Sequence, residues 1–400
     1  MFVNNAKPVR DESDARDTQG GKRRMTGTVL AWRVFFPLAA LHAAFMVPLS
    51  LLSLYHQLDV LPQLASPAAH ARELVFGFAL AVIAGYLLGP LPRRRLAGLV
   101  ALWAVGRLGV LASPLIYPAT LADALFALGV AWLVVPRFMA AKKWRNRVLS
   151  PLLGLICLLA VVTLTWRYLG DMPTTAPLMH QSVLWLVLLM TFMGGRIIAP
   201  AVNGHLMTRF RLTGAGVQPR IEAALIVLLG VAPFLMLWPR LQPLAAALAL
   251  AAGALVLWRL YRWGPWQCRG RPDLLALMAG YAWLGVGLLL MARTWWLPTH
   301  DSAPLHAFTV GALGTLASTV MLRQAILRAK GRPEREWALL PLVLLFATAA
   351  MLRLWALETG SAWLGVLWGA ALAWSLAWLL VAWRLWHWLA RRPAPRPAGN

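Results

Sequence analysis

Acidic residues are scarce in this chain: 14 Asp and Glu stand against 38 Lys and Arg in 400 residues, and charged residues of both signs make up only 13%. Soluble domains carry about 25% charge, so a water-facing surface of ordinary composition is excluded. The carboxylates lie mostly in the N-terminal tail and in connections, which leaves no paired acids for general acid–base catalysis. A glycine-rich phosphate loop, a nucleophile elbow and an H-E-x-x-H helix are also missing, so hydrolase and nucleotide-driven classes fall away. Cysteine is limited to Cys157, in an apolar run, and Cys268, in a basic connection, with no spacing for a disulfide or a thiolate metal site. The excess of basic residues does not signal nucleic acid, because they fall in short clusters between apolar runs, without aromatic interleaving or a basic domain.

What fills the chain is hydrocarbon. Hydrophobic residues make up 60%, and runs of about 20 apolar residues, enough to cross roughly 30 Å of lipid, recur to the end. The reading is an all-α polytopic membrane helix bundle in one domain, 29–389, with tails at 1–28 and 390–400. Spans are expected near 29–55, 73–91, 96–112, 119–136, 148–169, 178–199, 220–238, 242–262, 272–293, 304–328, 336–358 and 361–389. The first tail is polar with no apolar stripe and reads as disordered. The stretch after it is too long for a signal-peptide core and no A-x-A site closes it, so the tail is expected to be retained.

The basic residues set the topology. Even-numbered connections carry Arg93, Arg94 and Arg95; Arg137, Lys142, Lys143, Arg145 and Arg147; Arg209, Arg211 and Arg220; Arg262, Arg269 and Arg271; and Arg328, Lys330, Arg332 and Arg335. The other connections hold only Arg72, Arg240 and Arg293, so the Lys/Arg bias places both termini in the cytoplasm. The alternation also checks the count of twelve, since one missed span would invert it. Gly77, Ala81, Gly85 and Gly89 form a stripe of small residues on the second span that allows close helix approach.

Ionisable residues at membrane depth are costly and point to function. Here they are His42, Glu73, Arg107, Asp123, Arg167, Arg196, Arg323 and Arg353. His70, His180 and His306 mark the extracytoplasmic ends of spans two, six and ten; His56 and His300 fall in outer loops; only His205 and His387 lie inside. Neutral imidazole ligates haem iron and copper without adding charge to a low-dielectric site, so an outer-side metal centre is physically sensible. Its plain alternative is that helix-end histidines are interfacial and solvated. His70 and Glu73 share a face at i, i+3, which makes Glu73 a candidate to orient that imidazole; the plain alternative is a solvated helix start with an acid placed favourably for the dipole. Arg107, Arg167 and Arg353, in the outer halves of their spans, are candidate partners for haem propionates. The tryptophans crowd near span ends, as interfacial anchors do.

Several segments together resemble the NnrS family. They are Arg33-Val34-Phe35-Phe36; His70-Ala71-Arg72-Glu73-Leu74-Val75-Phe76-Gly77-Phe78; Ile83-Ala84-Gly85-Tyr86-Leu87-Leu88; Trp103 with Arg107; and Trp144-Arg145-Asn146. Further along come Met193-Gly194-Gly195-Arg196-Ile197-Ile198, Tyr281-Ala282-Trp283, the stretch His306 to Thr315, and Gly331-Arg332-Pro333. The resemblance implies an inner-membrane protein that binds haem and copper and takes part in nitric oxide metabolism or resistance to nitrosative stress. The chain departs from the family pattern at Arg72, Met278 and Arg328 to Pro333, where histidine is usual. The histidines that remain to hold metal are His70 and His306, with His42 as a further candidate and Met278 as a soft thioether ligand. A transporter or structural protein on the same fold with a degenerate metal site is the alternative, and a nitric-oxide-reducing enzyme a third.

Overall fold

The computed structural model describes residues 27–55, 61–111, 116–166, 176–211, 218–297, 302–356 and 362–390. His56, Arg167 and His300 fall outside them, as does nearly all of both tails. Twelve long helices occupy the twelve expected spans: α1 (Trp32–Tyr55), α2 (Pro67–Leu87), α3 (Arg93–Leu111), α4 (Ile116–Met139), α5 (Leu149–Thr165) and α6 (Ala176–Phe210) in the first half. The second half holds α7 (Pro219–Leu235), α8 (Gln242–Arg262), α9 (Pro272–Trp296), α10 (Ala303–Arg328), α11 (Leu339–Trp355) and α12 (Trp363–Ala390). Eight of these are long and apolar enough to cross a membrane. The chain is a multi-pass membrane protein.

Packing follows side-chain size. α8 lies along α9, where Gly253 and Gly285 let Leu288 and Leu257 close the gap. The first and last helices meet: Trp374 Nε1 donates to the Ala43 carbonyl and Ser375 Oγ to that of Ala44, both at 2.8 Å. Beside this seam Phe78, Phe346, Trp374 and Trp378 interlock at 4.8–6.4 Å with near-perpendicular rings, the geometry aromatic quadrupoles favour. The stripe on α2 works as expected at Gly85, where an added Cβ would run into Phe36 and Phe35.

Two features depart from the sequence reading. Residues at the edge of the supposed tail form a strand, β1 (Thr28–Leu30), paired antiparallel with β2 (Pro90–Pro92), in register Thr28↔Pro92 and Leu30↔Pro90. The clasp ties the start of α1 to the end of α2. Gly89, at φ +65°, turns the chain into it, a conformation that suits glycine. Secondly, α6 runs for 35 residues rather than the 22 expected from 178–199. Its last three turns extend through polar sequence that hydropathy alone assigns to a connection.

Candidate functional site

The segments His70–Phe78 and His306–Thr315 adopt the same unusual backbone. Glu73–Ala79 in α2 and Ala307–Leu313 in α10 are π-helical, with bonds from i to i+5. Such stretches are rare and recur at functional sites. A widened turn frees backbone carbonyls that the bilayer cannot satisfy, so neighbouring helices must. In α2 they do: Trp103 Nε1 of α3 donates to the Gly77 carbonyl at 2.8 Å, and His42 Nε2 of α1 lies 3.0 Å from the Glu73 carbonyl. Since that carbonyl can only accept, His42 carries its proton on Nε2. Trp103→Phe keeps an aromatic ring and strips the Gly77 carbonyl of its donor. A loss of about 1–3 kcal/mol is expected in detergent melts, with hydrogen–deuterium exchange accelerated across residues 73–79 before the rest of α2.

Both helix starts open into one cavity of about 500 Å3. His70, His180, His306 and Arg353 line it with Tyr55, Ser302 and Thr309, which bring hydroxyls, and Phe78, Trp374 and Leu367 form much of its apolar wall. Its lining comes from the ends of α1 and α11 and the starts of α2, α6, α10 and α12, so it lies at one end of the bundle. That is the end with few basic residues, which the Lys/Arg bias places outside. Among the described residues no acidic side chain lines it. His306 Nδ1 is 2.9 Å from the Ser302 carbonyl one turn back. A carbonyl only accepts, so Nδ1 carries the proton and the Nε2 lone pair is left for a ligand. His70 Nδ1 is buried and has no hydrogen-bond partner among the described residues. Arg353 Nη2 approaches Ser302 Oγ at 3.3 Å.

The structure divides the candidate residues between two places. His70, His306 and Arg353 meet at the cavity, joined by His180, which sequence reading had placed at the outer face without giving it a role. His42, Glu73 and Arg107 belong to a buried ion network and do not line the cavity. There the Arg107 guanidinium bridges Glu73 Oε2 and Asp123 Oδ2. Arg72 Nε approaches Glu73 Oε1 at 3.5 Å and His42 Nε2 lies 3.6 Å from Glu73 Oε2. Two guanidinium groups thus face two carboxyls. Glu73 therefore serves Arg107 rather than His70: its carboxyl is taken up by the Arg107 and Arg72 guanidinium groups and the His42 imidazole. Arg107 is likewise committed to carboxylates, because a buried guanidinium pairs with the acids packed against it. Met278 is buried in the core of α9 and does not line the cavity. Among the described residues no group of three or more His, Cys, Asp or Glu could hold a metal ion.

A second buried cluster escaped the sequence reading. Arg259 of α8 is fully buried, with Nη2 at 3.8 Å from Glu222 Oε2, Nη1 at 3.5 Å from the Tyr281 hydroxyl, and its guanidinium over the Trp263 ring at 5.2 Å. Both charged residues sit within four positions of a helix end, where sequence suggests solvated ends. The signal lay in Gly194-Gly195: a Cβ on Gly194 would meet the Tyr281 ring and one on Gly195 the Arg259 guanidinium. The other shared motifs pair in the same way. Gly311 makes room for Trp283, Gly331 for Trp388, and Asn146 Oδ1 accepts from Arg196.

These motifs are therefore contacts of one bundle. The family model described as NnrS protein matches residues 28–392. No curated protein matches the chain. A match that begins at the β1 clasp and runs just past α12 takes in both π-helical stretches and each glycine-to-partner contact named above, and on it the chain belongs to the NnrS family.

Proposed function

We propose that this protein holds haem in the histidine-lined cavity, on the extracytoplasmic side of an inner membrane, and acts in nitric oxide metabolism or resistance to nitrosative stress. The observation that carries the reading is a cavity of about 500 Å3 where His70, His306 and Arg353 converge on largely apolar walls. That volume lies in the roughly 300–1,000 Å3 range of cofactor pockets. Haem brings four nitrogen donors of its own and asks the protein for one or two axial ligands, so two histidines suffice where a protein-only metal centre would need more. The Nε2 of His306 is presented as a lone pair by the Ser302 carbonyl behind it. Arg353 supplies a guanidinium for a propionate. When bound, haem supplies an iron at which nitric oxide can ligate. The protein's part is to fix the imidazoles, with Trp103 and His42 bonding the π-helical turns that follow His70 and the Ser302 carbonyl holding the His306 ring, and to exclude water with Phe78, Leu367 and Trp374. Copper has less support, since the thioether of Met278 lies outside this cavity.

The test is an optical spectrum and metal analysis of detergent-purified protein, wild type beside His70→Ala and His306→Ala, oxidised, reduced and after nitric oxide. A Soret band that shifts with nitric oxide and weakens severalfold in either variant is the expected result. A folded, colourless wild type expressed with ample haem would overturn the reading. It would put first a transporter or structural role.

A further inference from the structure

At the opposite, basic end of the bundle, the overlong α6 carries a second concave surface of about 530 Å3. Thirty-five residues span about 52 Å at 1.5 Å per residue. Roughly 30 Å of that suffices for the hydrocarbon, and the last turns stand at headgroup level. The floor of the groove is short and apolar: Pro200, Ala201 and Gly204, with the Thr208 hydroxyl turned back onto the Gly204 carbonyl at 2.8 Å. A Cβ on Gly204 would meet nothing within 4 Å. The rim is cationic. His205, Arg209 and Arg271 line it and no acid does. Arg271 is shared with Asp273 at 3.0 and 3.1 Å, but Arg209 is exposed and has no ion-pair partner among the described residues. Met207 and Phe210, each 47% exposed, flank Arg209 on the same final turns. The neighbouring connections add Arg211, Arg220, Arg262 and Arg269, while their only acids, Glu222 and Asp273, are buried against arginines.

An apolar floor under a cationic rim, at headgroup depth, matches a molecule with a phosphate at one end and methylenes at the other. We infer that this groove binds an anionic phospholipid, with the phosphodiester at Arg209 and Arg271 and the upper acyl chain along Pro200, Ala201 and Gly204. A soluble anion would make no use of that floor. The site is separate from the histidine cavity and independent of the haem reading.

The test is native mass spectrometry of the purified full chain with equal phosphatidylglycerol and phosphatidylcholine. Selective retention of phosphatidylglycerol by the wild type is expected. Arg209→Gln should weaken it roughly fivefold, the effect of one basic residue at a lipid surface, and Arg209→Lys should keep most of it. Gly204→Leu should fill the groove and abolish selectivity without touching the interior. Equal retention of both lipids by the wild type, or selectivity unchanged in Arg209→Gln and Gly204→Leu, would overturn the inference. So would displacement of the lipid by millimolar inorganic phosphate, which would mark a soluble-anion site.

Discussion

Arg107→Met should be among the most damaging single substitutions in this protein. It removes the guanidinium that Glu73 and Asp123 share, leaving two carboxyls, 0% and 5% exposed, packed together at membrane depth. Breaking a buried ion pair from one side costs about 3–5 kcal/mol, because the remaining charge keeps its desolvation penalty and loses its partner. The network gives the substitution a diagnostic companion. Replacing Arg72 together with these three, as Arg72→Gln, Glu73→Gln, Arg107→Met and Asp123→Asn, removes every charge of the network's two carboxyls and two guanidinium groups and should recover most of the loss. Thermal unfolding in detergent, followed by size-exclusion recovery, reads both. If the single variant melts with the wild type, the network contributes little and lipid-side water reaches it. If the fourfold variant is no better than the single, the cost lies in packing around α2 rather than in charge.

The second large effect is expected at Gly194 and Gly195. An alanine at 195 places its methyl against the Arg259 guanidinium, with Nη1 at 2.6 Å, and an alanine at 194 meets Tyr281 Cδ2 at 2.7 Å. Neither neighbour has space to retreat, since both are fully buried and Tyr281 also packs against Trp263 at 4.9 Å. Overpacking of this kind costs about 1–3 kcal/mol, and Gly195→Ala should cost more by loosening Arg259 from Glu222. Because both substitutions crowd one Arg259–Tyr281 contact, the double variant should be less than additive by at least roughly 0.5 kcal/mol. Strict additivity in a double-mutant cycle of melting midpoints would mean that the two glycines act on separate contacts.

Much of the architecture was legible without coordinates. Hydropathy located all twelve helices, since the length needed to cross lipid is fixed by bilayer thickness and leaves a repeating mark in sequence. Alternating arginine clusters kept the count in register. The motifs that resemble the NnrS family were also visible as strings, among them Met193-Gly194-Gly195-Arg196 and Tyr281-Ala282-Trp283. What they are for was not, because each is half of a contact whose other half lies far along the chain. Gly195 meets Arg259, Gly311 meets Trp283 and Gly77 meets His42 and Arg107. The β1 clasp was missed because three residues beside a polar tail carry too short a pattern, and two of β2's three residues are prolines.

The sequence alone determined that this chain lives in lipid as an all-α bundle, and its charge bias set the expected orientation of its ends and the side on which its scarce histidines fall. Those are properties of composition and of one-dimensional spacing. Tertiary structure decided which polar residues share a place. It drew His70, His306 and Arg353 to one cavity and sent His42, Glu73 and Arg107 to a separate ion network, although sequence distance favoured pairing His70 with Glu73. The physical reason is local and cooperative. Two π-helical stretches change the direction of the side chains after them, and in α2 Trp103 and His42, on other helices, bond the Gly77 and Glu73 carbonyls. A helix-wheel reading assumes a constant turn, and in this bundle the turn is set by its neighbours.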